Sequence, residues 1–189
     1  MSLSSFSNLE LGPVAVFFGQ LGAEVNIGPT VGGGTLTDEV ETIPLHEDET
    51  GNTPQGLIQV GRNSRFECIL ADITYEKLAK VIPGAVLHTD GTKRLLEMKV
   101  NVGADLAPSK TGYPAQRLVL KKIKSPSLGA PAVISTSPND WIIANRVALV
   151  TNLSQAYNVG DQRGINATFM FLPDANDTVW MFGDESATP

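Results

Sequence analysis

The chain has 189 residues, of which 42% are apolar and 18% charged. This length and composition indicate one globular domain and argue against a disordered or coiled-coil chain. A net charge of −6 and a pI near 4.9 argue against an open basic surface for nucleic acid. One cysteine, Cys68, excludes an internal disulfide and a multi-cysteine zinc site, and two histidines, His46 and His88, offer little for a metal or catalytic centre. We therefore expect neither a metal nor a cofactor.

The first third of the chain predicts strands separated by glycine. Residues 14–18 form a short apolar run, and residues 23–27 alternate polar and apolar side chains, as a half-buried strand does. Residues 28–34 (GPTVGGG) predict a loop that needs positive φ at one of its last three glycines.

A long β-hairpin is predicted next. Residues 35–45 predict a strand with one partly apolar side and a polar stripe on the other, formed by Thr37, Glu39 and Glu41. Residues 46–55 (HEDETGNTPQ) contain no apolar side chain and predict an exposed connection. Residues 57–73 predict the returning strand, with Gln59 and Asn63 on its polar side and a bend near Gly61.

The rest of the chain predicts one helix and further strands. Residues 75–81 predict a helix that Thr74 caps and Pro83 ends. Five more segments predict strands: residues 92–102, 117–124, 141–150, 165–172 and 179–182. Many short strands with Gly and Pro between them, together with a single helix, predict a mainly β fold, a β-sandwich or barrel with one flanking helix and a long hairpin arm. We see no internal repeat and expect one domain over residues 1–189.

Targeting and membrane signals are weak in this sequence. No run approaches the ~20 apolar residues of a membrane span, and the first ten residues contain no Lys or Arg, unlike the start of a secretory signal. We expect a protein that folds in the cytoplasm and has no membrane partner.

Acidic and basic residues are unevenly distributed along the chain. Residues 1–61 contain eight acidic residues and no Lys or Arg, whereas residues 110–163 contain seven basic and two acidic residues. One interpretation is that both stretches are solvated surface of a monomer. The other is a molecule with two faces of opposite charge, which attracts further copies head to tail and so builds rings or open stacks.

None of the motifs that usually carry chemistry is complete. Residues 28–34 are not followed by the lysine and helix of a phosphate-binding loop, and the acidic run after His46 lacks the ligand spacing of a calcium loop. Cys68 lies on the apolar side of its strand, which predicts a buried, inert thiol. Glu39 and Glu41 have a spacing that acid–base catalysis can use, but a solvated acidic face accounts for them as well. We expect no enzymatic activity.

The polar stripe of the predicted hairpin suggests a channel. A sheet with one packed face and one solvated face produces such a stripe. If several copies set these faces around an axis, they line a wide aqueous channel, whose negative charge repels phosphates and lets a nucleic acid slide.

Three segments follow one another in a characteristic order: residues 12–19 (GPVAVFFG), residues 23–37 (AEVNIGPTVGGGTLT) and, after the acidic hairpin, residues 72–78 (DITYEKL). The second contains a Gly-x-Thr-x-Gly-Gly-x-Thr-Leu-Thr pattern at Gly28, Thr30, Gly32, Gly33, Thr35, Leu36 and Thr37. In this order the chain resembles the tail tube (major tail) proteins of tailed bacteriophages. The resemblance covers residues 12–84, and the C-terminal third, residues 126–189, has no counterpart in it.

The resemblance implies a structural protein of the virion tail, assembled in the host cytoplasm. Six β-sandwich copies would form a ring whose inner strands join into one continuous barrel, and rings would stack into a tube. The tube would enclose a tape-measure protein, meet tail-tip and terminator proteins, and conduct double-stranded DNA without binding it specifically. Residues 35–45 and 57–66 would form the inner-barrel hairpin, and residues 46–55 the tip that reaches toward the neighbouring ring.

The polar stripe and the charge pattern, taken together with the resemblance, predict two sets of site residues. The predicted channel lining consists of Thr37, Glu39, Glu41, Gln59 and Asn63. The predicted contact between rings joins Glu47, Asp48 and Glu49 to Lys121, Lys122 and Lys124.

Two other functions stay open at this point. The chain could be a β-sandwich module that binds a carbohydrate or peptide, or that decorates a virion, which would need an exposed aromatic platform. More remotely, Glu39 and Glu41 could serve a glycoside hydrolase.

Overall fold

The computed structural model describes residues 8–11, 13–45, 55–70, 74–82, 85–98, 116–124, 133–152 and 164–187. This part of the chain is mainly β, with antiparallel strand pairs and one α-helix, α1 (Tyr75–Val81). The strands are β1 (Asn8–Leu11), β2 (Val14–Gln20), β3 (Val25–Leu45), β4 (Gly56–Leu70), β5 (Ala85–Asp90), β6 (Lys93–Met98), β7 (Gln116–Lys124), β8 (Val133–Ile134), β9 (Trp141–Ala144), β10 (Val147–Asn152), β11 (Ile165–Phe171) and β12 (Met181–Phe182).

One large sheet contains ten of these strands. Its order is β10-β11-β4-β3-β2-β7-β9-β12, with β1 beside β3 and β8 beside β7. The strands β5 and β6 form a separate two-stranded sheet that packs on α1. Because the order ends at β10 on one side and β12 on the other, the described strands do not close into a barrel. The barrel alternative is therefore wrong for the single chain.

The 21-residue strand β3 lies in the middle of the sheet, pairs with β2 and β4, and bends at its glycines. Its first residues pair with β2, and the part from Thr30 onward pairs with β4. The expected loop at residues 28–34 is wrong, because the backbone keeps its strand partners there and takes up the bend as a bulge between Val31 and Gly34. Positive φ angles at Gly32 (71°) and Gly33 (92°) confirm the predicted need for glycine.

The bend folds one half of the sheet back over the other. The ring of Phe18 on β2 lies 5.5 Å from that of Phe169 on β11, although β3 and β4 separate the two strands in the sheet. Phe169 also meets Phe66 of β4, with ring centroids 6.1 Å apart. Alternate residues of both halves point into this core, as the period of a strand requires. Each large core side chain contributes about 1.5–3 kcal/mol of hydrophobic stabilisation.

The segment 141–150, which predicted a single strand, contributes to both halves of the sheet. The strand β9 pairs with β7, the chain turns at Asn145 and Arg146, and β10 pairs with β11. The single-strand prediction is wrong, because an uninterrupted apolar pattern does not record the point where the chain passes from one layer to the next.

The predicted helix is confirmed with its cap. The Oγ1 of Thr74 accepts a hydrogen bond from the backbone N–H of Lys77 at 3.3 Å. Residues 85–90 had given no strand signal, yet they form β5 and pair with β6 around a turn at Gly91, where φ is 56°. The guanidinium of Arg94 lies 3.6 Å from Glu76 and links this small sheet to the helix.

Candidate functional site

The strands β3 and β4 continue past the body of the molecule as a hairpin arm, defined here as residues 39–45 and 56–63. Only the part of β4 from Ser64 onward pairs with β11, and β1 pairs with β3 no further than Thr37. Within the described residues, both edges of the arm are therefore free. Every residue from Glu39 to Leu45 is exposed, as are residues 57–60. An exposed two-stranded element is marginal by itself and invites further pairing.

The register places the acidic residues of the arm on one face. Glu39 lies opposite Asn63, and Glu41 lies opposite Gly61. Directly opposed residues of an antiparallel pair share a face. Glu39, Glu41 and Asn63, three of the five predicted channel residues, therefore lie together, and both glutamates are exposed.

The other two predicted channel residues differ from the expectation. Thr37 is only 7% exposed, because it lies where β1 joins β3 at the body. Gln59 lies opposite Thr42 and thus on the other face of the arm from Glu39. The cause is a bulge that inserts Val60 between the partners of Glu41 and Thr42, and a one-residue shift exchanges the faces of a strand. The bend predicted near Gly61 is the position of this bulge.

The acidic face of the arm continues as the outer face of the sheet. Across four strands, Thr35, Glu67, Thr168 and Val150 lie opposite one another in turn. Beside them an open groove of about 710 Å³ crosses β3, β4 and β11, and its lining includes Gly32, Gly33 and Gly34. The face is polar, with exposed Glu67 and Asn166 beside Ile69 and Val150, each 42% exposed.

An ion pair fixes the root of the arm. The carboxylate of Asp38 accepts hydrogen bonds from Nε of Arg62, at 2.8 Å, and from Nη2 of the same residue, and from the hydroxyl of Ser64. The bond from Arg62 is the largest cause that holds the pKa of Asp38 below its ordinary 3.8, and it outweighs burial, which raises it. The buried indole N–H of Trp180 lies close enough to lower this pKa further but makes no hydrogen bond of normal geometry.

The three lysines predicted for a contact between rings have different surroundings. The ammonium of Lys121 lies 4.4 Å from the ring centre of Phe17 and 4.0 Å from that of Trp141, a cation–π arrangement within the molecule. Lys124 bonds with Asp140 at 2.6 Å, and Lys122 is exposed. Lys122 and Lys124 share one face of β7, and Lys121 points to the other. Glu47, Asp48 and Glu49 lie outside the described residues.

A buried arginine that the sequence did not single out joins three segments. Arg117 on β7 donates to Glu24 at 2.9 Å and to Glu185 at 2.6 Å, and its side chain is 8% exposed. Burial raises the pKa of Glu24, but backbone hydrogen bonds and Arg117 outweigh it and leave that pKa below 4.5. The only available signal was an arginine at the start of an apolar strand, which does not identify partners 93 and 68 residues away.

The remaining cysteine, histidine and tryptophan candidates make contacts within the fold. Cys68 is buried, as predicted, and burial raises the pKa of its thiol to about 12, which favours the low reactivity expected for it. His88 bonds with Glu97 at 2.8 Å on the exposed β5–β6 hairpin. Trp141 donates to the carbonyl of Ser135, and Trp180 packs against the core. In the part of the chain that the structure describes, no three His, Cys, Asp or Glu side chains form a possible metal site, and no helix is long and apolar enough to cross a membrane.

The most distinctive surface is therefore the arm together with the polar outer face of β10, β11, β4 and β3. Chemically, it offers backbone hydrogen-bonding groups along its edges that no described strand pairs with, carboxylates on one face and exposed apolar side chains toward the arm's end. Searches against models of known families and against curated proteins find no match to the chain.

Proposed function

We propose that this chain is the repeating subunit of a self-assembling tube of the kind found in bacteriophage tails, with a structural rather than an enzymatic role. The observation that carries the proposal is the arm: a hairpin whose two edges and two faces none of the described residues covers. Such an element is costly for a monomer, because it exposes apolar surface and open backbone groups that other chains can pair with.

Strand direction supports the closure of a ring. The four strands β3, β4, β11 and β10 alternate in direction, so β10 of one copy would meet β3 of the next in an antiparallel pair. Among the described strands, β10 has β11 as its one partner, and the free edge of β3 begins after Thr37. Copies joined in this way extend the sheet without leaving an edge, and a closed ring removes edges altogether.

The polar outer face of the arm and sheet would then line the channel. Glu39, Glu41 and Glu67 give it three carboxylates, against one guanidinium from Arg65, which lies 3.6 Å from Glu67. A wall with net negative charge repels the phosphates of double-stranded DNA, so that the DNA passes without binding. The contact between Phe18 and Phe169, across the two halves of the sheet, supports the β-sandwich expected for such a subunit. Its further partners would be a tape-measure protein and tail-tip proteins, and its location would be the virion tail.

Electron microscopy of the purified full-length chain tests the proposal. Negative-stain images should show rings or tubes with a central channel, and sedimentation velocity should show species far larger than a monomer. The variant Val40→Asp, on the part of β3 proposed to pair with β10 of the next copy, should lower the assembled fraction at least tenfold. The control Phe182→Asp, at a site 64% exposed on β12, should leave the assembled fraction unchanged. A chain that stays monomeric at every concentration contradicts the proposal.

A further inference from the structure

The two ends of the large sheet differ in how their edges are covered. At one end, β10 presents a six-residue edge that no described strand pairs with. At the other end, β12 adds only two residues to β9, with Met181 opposite Ile143 and Phe182 opposite Ile142. A very short edge strand is one of the means by which proteins keep a sheet edge from pairing with other chains. This difference indicates that the β9 edge is protected, whereas the β10 edge is not.

The strand β9 has the composition of a segment that needs such protection. Its four residues, 141–144 (WIIA), carry no charge, and Ile142, Ile143 and Ala144 are each at most 2% exposed. Short uncharged segments of high β propensity pair readily with further copies of themselves when their edge is open. Without β12, the end of this antiparallel sheet would therefore be a segment of this kind.

The segment that carries β12, residues 179–187, is here called the strap. Besides the two residues of β12, its backbone is tied to β9 by the N–H of Gly183, which donates to the carbonyl of Trp141 at 2.9 Å. Val179 and Trp180 pack against the core, but the buried indole N–H makes no hydrogen bond of normal geometry with a described residue. A buried donor without a partner offsets part of the stabilisation that burial of the ring gives. The described contacts therefore hold the strap only weakly along most of its length.

Arg117 on β7 fastens the far end of the strap. Its guanidinium donates to Glu185 of the strap at 2.6 Å and to Glu24 of the body at 2.9 Å. The two carboxylates differ in exposure, because the side chain of Glu24 is 15% exposed and that of Glu185 is 45% exposed. Loss of a partner is strongly unfavourable when it leaves a buried charge unpaired. Here Arg117 keeps Glu24 when Glu185 leaves, so the strap can detach without leaving a buried cation alone.

From these observations we infer that the strap is a releasable guard of the β9 edge, and that the ion pair between Glu185 and Arg117 is its latch. The strap opens as a unit while the two halves of the sheet stay packed. Once it is open, the β9 edges of two copies pair around a two-fold axis, an isologous contact that closes at a dimer. The closed strap prevents this pairing and restricts self-association to other surfaces. The inference goes beyond the proposed tube, because such a guard serves a monomer as well as a tube subunit.

Hydrogen exchange of the full-length chain, followed by mass spectrometry, tests the opening of the strap. Peptides from residues 179–187 should exchange at least about a hundredfold faster than peptides from β2 and β7, because the strap opens without global unfolding. Glu185→Lys should speed exchange of the strap at least about tenfold and leave β2 and β7 unchanged.

Asp184→Lys is the matched control for the latch. It changes the net charge by the same amount, but the carboxylate of Asp184 accepts hydrogen bonds from Ser186 within the strap itself. Exchange of the strap should therefore change by less than about threefold in this variant. Equal exchange rates in the strap and β2, or equal responses of the strap to both lysine variants, overturn the inference.

The association of chains with an open strap tests the edge itself. The Val40→Asp background is used, because it blocks the proposed contact between β10 and β3 and keeps rings from masking a dimer. In this background, Glu185→Lys should sediment as a dimer at concentrations at which the parent stays monomeric. Residues 141–144 should be less protected from exchange in the dilute monomer than in the dimer. Gly183→Pro removes the donor to Trp141 without changing the charge and should give the same result.

The outcomes separate this inference from the proposed tube. Monomers in both variants, or larger species in which residues 141–144 stay exposed, overturn the guard and leave the tube untouched. Dimers formed through β9, in a chain whose unmodified form gives no rings, support the guard and contradict the tube. If Glu185→Lys does not fold, Gly183→Pro and the exchange pattern of the unmodified chain still decide between an opening strap and a fixed one.

Discussion

Gly34 and Phe66 approach each other so closely that no side chain fits between them. A Cβ atom on Gly34 would lie 2.3 Å from Cζ of Phe66, a ring that is fully buried in the core. The glycine-rich segment therefore does more than permit the bend of β3, because it also makes room for the aromatic side chain of the neighbouring strand. The φ angle of Gly34 is not positive, so the backbone conformation does not require a glycine there. The close approach of Phe66 does.

Gly34→Ala should accordingly destabilise the fold. The methyl group forces the Phe66 ring or the backbone to move, and overpacking of this kind costs about 1–3 kcal/mol. Gly56→Ala is the matched control, since its Cβ would meet Leu45 at an ordinary 3.6 Å, and it should change stability by less than about 1 kcal/mol. Urea unfolding at pH 7 measures both. Equal midpoints for the two variants would show that Phe66 does not require the glycine.

Lys121 should matter for stability more than its neighbour Lys122. Its ammonium contacts the rings of Phe17 and Trp141, and cation–π contacts contribute about 0.5–2 kcal/mol each, depending on burial. We expect Lys121→Gln to lower the free energy of unfolding by about 1 kcal/mol and Lys122→Gln, at an exposed site, by less than about 0.5 kcal/mol. Chemical denaturation followed by tryptophan fluorescence measures the difference. The reverse order would contradict the stacking of Lys121 between the rings.

The link between Arg117 and Glu24 should make stability depend on pH in the acid range. The pKa of Glu24 is lower in the folded chain than its ordinary 4.5, so the unfolded chain takes up the proton first as pH falls. This contribution is fully present above about pH 4.5 and is lost as pH falls through the folded pKa. Glu24→Gln should therefore lose less stability than the unmodified chain between pH 7 and pH 3.

Urea midpoints across that pH range measure the effect. A double-mutant cycle with Arg117→Gln isolates the coupling between the two side chains from other acid-sensitive groups, among which Asp38 and Asp174 also have lowered pKa values. Parallel pH profiles for the unmodified chain and Glu24→Gln would show that the pair contributes nothing.

The charge of the face proposed to line the channel can be reversed without touching the core. Glu39→Lys with Glu41→Lys places two cations on an exposed face of the arm and should leave ring formation unchanged. Passage of DNA should slow, because the wall would attract phosphates instead of repelling them. The neutral pair Glu39→Gln with Glu41→Gln should give an intermediate result. The measurement is the DNA released per assembled particle, and a failure of the lysine variant to assemble would place these residues in contacts between copies.

Local sequence pattern predicted the elements whose signals are complete within a few residues. The helix at Tyr75–Val81 was predictable from Thr74 and from the turn residues after it, and the hairpin from two strand patterns around a polar connection. Glu39, Glu41 and Asn63 could be assigned to one face because the period of a strand is two. Gln59 could not, because Gly61 indicates a bend but not the register of β4 on β3, and the bulge at Val60 in that register moves Gln59 to the other face.

By itself, the sequence determined the mainly β character, the helix, the buried thiol of Cys68 and the division of charge between the two halves of the chain. Only the tertiary structure decided that β3 runs through its glycines, that residues 141–152 divide between two layers, and that Arg117 joins Glu24 to Glu185. It also decided that Lys122 and the arm occupy opposite ends, because the sheet folds back at its bend. The physical reason is that alternation and capping act between neighbours in sequence, whereas register, layer crossing and buried ion pairs are set by which distant segments bury the same apolar surface.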